Sequence, residues 1–329
     1  MADYLYGSAR IRSLESSLIG RERIEVLLGT KDFAALTEKL REFGVEWKRD
    51  PETGTILCEE TLLSRLREAY RETQTLCEDD SALRLWLYPY DCNNLKVAIK
   101  CFSRGIDPVS MMFDFGTVSA EETVKMVQTG DFSPLPTAMR EAAEEATAEY
   151  AKTRNPQMID LILDRACYRD MLMAVQGRDF ALKLVQKKID LTNLMMCVRI
   201  LRMKSGEAGK MLLSEALLAG GTLTHEQLLD WFLGGEEFLW ERMSYSSYDR
   251  LARTVRESDG SLTAVERNVD DAWMQEIKTA LYIPYGTEVL IAYLLARETE
   301  VRNLRILLAG KEAELPAQII RERIRESYV

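Results

Sequence analysis

The chain has 329 residues, of which 47% are hydrophobic and 29% are charged, and its formal net charge is -10. This acidic balance argues against a nucleic-acid backbone as the main partner and leaves protein partners open. No run of ~18 apolar residues occurs, so the sequence predicts no membrane span. The longest candidate, 289–296, is stopped by Arg297 and Glu298.

The two ends of the chain show helical periodicity. Apolar or aromatic side chains fall on one helical stripe near the start and on another near the end; they are Tyr4, Ile11, Leu14 and Leu18, then Leu290, Leu294, Val301, Leu304 and Leu308. The first six residues lead into charged helix, so we expect no signal peptide. Only 55–58 alternates in the manner of a strand. We therefore predict an all-α fold.

Helix boundaries are indicated by capping patterns between these ends. Ser119 to Glu122 and Thr224 to Gln227 have the spacing of capping boxes. Thr287 is a candidate N-cap for a helix that begins near Glu288. We expect three glycines to close helices, because glycine adopts the left-handed conformation without steric cost; they are Gly105, Gly206 and Gly310.

A first repeated signature contains an acid followed by phenylalanine. It occurs as Asp32-Phe33 and as Asp131-Phe132, and a weaker third copy runs from Phe232 to Trp240 and contains Phe238. We interpret these three phenylalanines as core anchors.

A second repeated signature is an acid, two further residues, and then Asn-Leu. It occurs three times, with the acid and asparagine at Asp91 and Asn94, at Asp190 and Asn193, and at Glu300 and Asn303. From phenylalanine to asparagine the two signatures lie 61, 61 and 65 residues apart in the three copies. Since two unrelated patterns stay in step three times, we infer an internal repeat.

The repeat predicts three helical units at 1–114, 115–218 and 219–329. A further match, between Gly116-Thr117 and Gly221-Thr222, supports these boundaries. Similar units bury apolar surface against their neighbours. We expect them to close about a pseudo-threefold axis into a funnel-like, three-lobed body, although an open solenoid is also compatible with the repeat.

The acid and the asparagine of each copy share a helix face because they are three residues apart. One interpretation is a hydrogen bond that holds each unit together. The other is a polar contact with a partner, repeated around the axis.

No pattern indicates catalysis, a cofactor or a metal. The single histidine, His225, lies inside a capping pattern, and no glycine-rich phosphate loop is present. The six cysteines lack metal-ligand spacing, and we interpret them as free thiols of a reducing compartment. Paired acids occur at 79–80, 144–145 and 270–271, without the third acid of a magnesium motif, and we interpret them as solvated helix faces.

The ends of the chain resemble a known family. The segment 4–12, the Glu300-x-x-Asn303-Leu304-Arg305 stretch and the segment 319–329 look like the C subunit of V/A-type rotary ATPases, which is called the d subunit in eukaryotes. The similarity runs from end to end and includes the threefold repeat.

The resemblance implies a non-catalytic coupling protein, present in one copy and monomeric when isolated. Such a subunit lies on the cytoplasmic face of the membrane, receives the central shaft (D- and F-type subunits) and sits on the proteolipid rotor ring. The sequence leaves two alternatives open, a different helical-repeat adaptor and a helical enzyme with a carboxylate cluster. The ~34-residue tetratricopeptide period is about a third of the period here.

Overall fold

A computed structural model of the chain describes residues 4–77, 79–204 and 206–329. In chain order its α-helices are α1 Leu5–Glu15, α2 Arg21–Leu28, α3 Phe33–Glu42, α4 Cys58–Thr75, α5 Ser81–Arg84, α6 Tyr88–Phe102, α7 Ala120–Thr129, α8 Thr137–Thr153, α9 Pro156–Ala174, α10 Asp179–Met203, α11 Gly206–Ala216, α12 His225–Leu233, α13 Glu236–Met243, α14 Asp249–Glu257, α15 Leu262–Ile277, α16 Thr287–Glu312 and α17 Ala317–Arg321. Short 3₁₀ helices are Leu85–Leu87, Val109–Met111 and Lys278–Tyr282.

The all-α prediction is confirmed for the described residues, which contain no β-strand. At the strand candidate 55–58 there is only an isolated antiparallel bridge between Arg49 and Ile56, and α4 begins at Cys58. Within the same described residues, no helix has both the length and the apolarity needed to cross a bilayer.

The chain forms two compact units. The split unit consists of Met1–Asp79 and Trp240–Val329, and the continuous unit of Asp80–Leu239. Helix α13 contains the boundary at residues 239 and 240. The division into repeats at 1–114, 115–218 and 219–329 stays a prediction.

Helix α16 forms the core of the split unit. The apolar run 289–296 is buried around the whole helix circumference, which explains why its sequence lacks a polar face. Helices α1, α3, α4 and α15 all pack against α16. In the continuous unit, α8 packs along α9, and α9 also packs against α6 and α10.

The cap predictions have mixed outcomes. Ser119 accepts a hydrogen bond from the Glu122 amide, and Thr224 forms a full capping box with Gln227. Thr287 was wrongly predicted as a cap, because it is the first residue of α16 and Gly286 precedes it.

The three closing glycines differ from one another. Gly105 has a φ of 66° in the turn after α6, as expected. Gly206 also has positive φ but begins α11, after α10 has already ended at Met203. Gly310 does not close α16, which continues to Glu312; instead it provides the space into which Ile320 of α17 packs.

All six cysteines are free thiols. Four of them are buried and two are half-buried, as expected for cysteines that serve as small apolar side chains.

Candidate functional site: three polar clamps

The second repeated signature forms three buried clusters, which we call clamps. Clamp 1 is Asp91 and Asn94 on α6, clamp 2 is Asp190 and Asn193 on α10, and clamp 3 is Glu300 and Asn303 on α16. All six side chains are at most 5% exposed. Buried polar groups of this kind must be hydrogen-bonded, so their partners define what the clamps do.

The three asparagines make the same pair of hydrogen bonds. Each side-chain amide donates to the carbonyl and accepts from the N–H of a single residue in a later loop: Phe113 for Asn94 at 2.7 and 2.9 Å, Leu218 for Asn193 at 2.9 and 2.8 Å, and Arg325 for Asn303 at 3.0 and 2.9 Å. An asparagine is suited to this because it carries a donor and an acceptor side by side. Each asparagine therefore fixes one loop residue by both backbone groups.

The two aspartates also share one arrangement. Asp91 accepts from the N–H and hydroxyl of Thr117 at 2.9 and 2.6 Å and from the Val118 N–H at 3.2 Å. Asp190 accepts from Thr222 at 2.9 and 2.6 Å and from the Leu223 N–H at 3.1 Å. Each aspartate therefore holds the segment that leads into the next helix, α7 or α12.

Glycine is required beside each of these aspartates, because the carboxylate lies too close to the backbone for a residue with a side chain. A Cβ built on Gly116 would lie less than 3.0 Å from Asp91 Oδ1, and one on Gly221 would lie as close to Asp190 Oδ1. The Gly-Thr match in the sequence is thus explained: glycine makes room for the carboxylate, and threonine donates to it.

In clamp 3 the acid also accepts a hydrogen bond from a backbone N–H, here one near the start of the chain. Glu300 Oε2 accepts from the Ile19 N–H at 2.7 Å. Ile19 stands two residues before α2, as Val118 stands before α7 and Leu223 before α12. Each of the three acids therefore bonds to a backbone N–H two residues before a helix, at Val118, Leu223 and Ile19.

The sequence pattern did not identify Ser17 to Ile19 as the segment held by Glu300. Ser17 and Leu18 stand where the other two copies have Gly-Thr. In the sequence Glu300 has no Gly-Thr pair to match it. Its backbone partner is shown only by the hydrogen bond from the Ile19 N–H.

Clamp 3 also contains a buried ion cluster. Glu300 Oε1 accepts from Arg297 at 2.7 Å and from Arg65 of α4 at 3.1 Å. Arg297 additionally donates to the Tyr293 hydroxyl at 2.9 Å and to Ser17 at 3.1 Å. Burial disfavours the charged form of Arg297, but Glu300 and Tyr293 outweigh it and raise the pKa of Arg297.

The phenylalanine signature is less uniform. Phe132 is buried, whereas Phe33 and Phe238 are half-buried. Phe33 begins α3, Phe132 lies before α8, and Phe238 lies inside α13.

The acid pair at 270–271 was wrongly interpreted as a solvated face. Asp270 pairs with Arg325 at 2.9 Å and with Arg302 at 3.1 Å, and Asp271 accepts from the Glu326 N–H at 2.6 Å. With Asn303 these groups hold the segment 323–329. Burial raises the pKa of Asp271 to about 6.

The other candidate chemical groups lie at the surface. Glu144 and Glu145 are exposed on α8. His225 is exposed at the first position of α12, with Nε2 3.0 Å from the Leu218 carbonyl. Among the described residues, no three acids, cysteines or histidines are grouped so that they could hold a metal ion.

We predict that Asp91 titrates near pH 6, well above the usual value of about 4. Burial raises its pKa to about 6, although hydrogen bonds from Thr117 and Val118 partly oppose the shift. Because the folded-state pKa is raised, Asp91 contributes stability below pH ~4 and this contribution is lost as pH rises through 6. Carboxyl-resolved NMR of the folded chain measures the titration directly.

Asp131 is a matched control for this titration. It is exposed, and hydrogen bonds from Ser133 lower its pKa. Asp131 should therefore titrate below an ordinary aspartate in the same spectra. A midpoint below pH 5 for Asp91 would contradict the prediction.

The chain is similar to known proteins over almost its whole length. The family model described as ATP synthase (C/AC39) subunit matches residues 8–323. The C subunit of the V-type sodium ATPase of Enterococcus hirae is 25% identical over 330 residues, which cover 97% of each chain.

Two archaeal proteins are similar at comparable levels. The C subunit of the A-type ATP synthase of Methanosarcina acetivorans is 22% identical, over 98% of this chain and 93% of that protein. The C subunit of the A-type ATP synthase of Methanocaldococcus jannaschii is 23% identical, over 98% of this chain and 86% of that protein.

Proposed function

Since the chain belongs to the ATP synthase (C/AC39) subunit family, we propose that it is the non-catalytic central-stalk subunit of a V/A-type rotary ATPase. The observation that carries this proposal is the match of the family model over residues 8–323, nearly the whole chain. In this role the protein couples the rotating shaft to the membrane rotor ring, so that ATP synthesis or hydrolysis is linked to proton or sodium transport. The partners are D- and F-type shaft subunits and the proteolipid ring, on the cytoplasmic face.

We further propose that the three repeat units close in a cycle and form a funnel that receives the shaft. The clamps support this proposal, because the acid of the third copy bonds to the entry segment of the first. Torque transmission requires a stiff body. Buried clamps that fix backbone groups resist local opening better than exposed polar contacts would.

The partner proposal predicts that the purified full chain binds both a D–F shaft complex and a detergent-solubilised proteolipid ring. Pull-down with each partner separately measures this. A tetratricopeptide protein of similar net charge is the control for non-specific binding to the ring. If the chain binds neither partner, or binds no better than the control, a different helical adaptor role would be supported instead.

The non-catalytic role predicts that the isolated chain neither hydrolyses ATP nor binds it at micromolar concentration. Calorimetric titration with Mg-ATP should show no saturable heat, and a chelator should leave the melting temperature unchanged. Saturable micromolar binding, or unfolding after chelation, would contradict this role and favour a carboxylate-cluster enzyme.

A further inference from the structure

The split unit contains an open cavity of about 550 Å³ whose lining is unusually basic for this chain. Its wall comes from α2, α14, α15, the 3₁₀ helix Lys278–Tyr282 and the segment 321–329. Six arginines or lysines and only three acids line it, whereas the whole chain has an excess of ten acids. We call this cavity the basic groove.

Half of the cations in the basic groove are neutralised locally. Arg321 pairs with Glu25 at 2.8 Å, and Lys278 pairs with Glu326 at 2.6 Å. Arg325 pairs with Asp270 just outside the lining. These pairs hold the groove together and contribute little net charge to it.

The other three cations form no ion pair among the described residues. Arg250 donates to the neutral amide of Gln275 at 3.0 Å, and Arg267 donates to the Glu322 carbonyl at 3.3 Å. Arg21 is exposed at the first position of α2, and Arg267 lies near Asp271 without pairing with it. The groove therefore presents three guanidinium groups outside these ion pairs. The charge of Arg21 is partly offset by nearby Glu25, and that of Arg267 by Asp271.

We propose that the basic groove binds an acidic segment of a partner protein. Guanidinium groups recognise carboxylates in bidentate geometry. A strongly acidic chain that concentrates positive charge in one concavity would steer a carboxylate-rich segment there and repel it elsewhere. This inference does not depend on the proposed rotary role.

A protein segment fits the groove better than a small phosphate-like anion. Arg21 and Arg250 are exposed and Arg267 is half-buried, so they do not form a desolvated pocket. The Val329 carbonyl, at 3.2 Å, already accepts from the first amide of α2. Surface guanidinium groups contributed by α2, α14 and α15 instead suit an extended run of side-chain carboxylates.

Fluorescence anisotropy with a labelled hexaglutamate peptide and the full chain tests the proposal. The triple variant R21E/R250E/R267E should weaken binding at least about tenfold, and the milder R21Q/R250Q/R267Q variant should weaken it less. Binding of the unaltered chain should fall as salt rises from about 50 to about 500 mM, because the contacts are exposed. The variant R71E/K125E/K183E makes the same charge change at exposed sites outside the groove and should bind like the unaltered chain.

Circular dichroism melting of all variants shows whether each is folded. Equal weakening by the groove and control variants, or no saturable hexaglutamate binding, would overturn the proposal. A parallel titration with pyrophosphate distinguishes the ligand class. Tighter binding of pyrophosphate through the same arginines would show a small-anion site instead of a protein-docking groove.

Discussion

Replacement of Glu300 by alanine is expected to destabilise the split unit by roughly 3–5 kcal/mol, the range for removing one partner of a buried ion pair. The loss leaves Arg297 without its carboxylate in a site where its side chain is 7% exposed. Among the described residues, Nε of Arg297 lacks a hydrogen-bond partner, and its other hydrogen bonds go to the hydroxyls of Tyr293 and Ser17, which are neutral and replace a carboxylate poorly. The Ile19 N–H also loses its acceptor.

Denaturant unfolding measures the free-energy change, and hydrogen exchange of the Ile19 amide shows whether the entry to α2 opens. Glu59→Ala is a matched control, because Glu59 of α4 pairs with Arg305 of α16 at 2.5 Å, between the same two helices but in solvent. The control should cost at most about 1 kcal/mol. Equal effects of the two substitutions would show that the buried cluster is not a special restraint.

The helices and several of their ends were predictable because they depend on local chemistry. Apolar periodicity indicated α1 and α16, and hydroxyl caps indicated the starts of α7 and α12. The predictions for Thr287 and Gly310 failed where tertiary packing decided the outcome. Gly310 is needed for the approach of Ile320, which no local pattern encodes.

The clamps were only partly predictable. The sequence showed the acid–asparagine signature and, separately, the Gly-Thr pairs at 116–117 and 221–222. It did not show that the acids bind those pairs, because hydrogen bonds between segments 26 to 33 residues apart leave no periodic signal. The contact of Glu300 with Ile19 spans 281 residues and lacks the Gly-Thr pattern altogether.

The third clamp differs from the other two in the length of its acid and in the residue that lies beside that acid. Clamps 1 and 2 combine aspartate with glycine, at Asp91 with Gly116 and at Asp190 with Gly221. Clamp 3 has glutamate, and Ser17 occupies the glycine position and accepts from Arg297. The longer glutamate reaches its backbone donor while leaving room for the serine side chain and the arginine. The space beside each acid is therefore matched to the length of that acid.

This matching leads to the prediction that Gly221→Ala destabilises the continuous unit by roughly 2–4 kcal/mol. The new Cβ would overlap Asp190 Oδ1, and overpacking alone costs about 1–3 kcal/mol. Asp190 cannot move aside without weakening its buried hydrogen bonds to Thr222 and Leu223, which adds about 1 kcal/mol or more. Denaturant unfolding gives the total loss, and hydrogen exchange of the Thr222 amide reports on the clamp itself.

Gly29→Ala is the control for the effect of alanine on the backbone. Gly29 has a φ of -73°, and its added Cβ would meet the Val26 carbonyl at 3.4 Å, an ordinary contact. This substitution should change the free energy of unfolding by less than about 1 kcal/mol. If Gly221→Ala were equally mild, Asp190 would have to be free to turn away from Thr222, and the clamp would not restrain the entry to α12. A large loss confined to Gly221 would show that the carboxylate is held in place, as the proposed closure of the three repeat units requires.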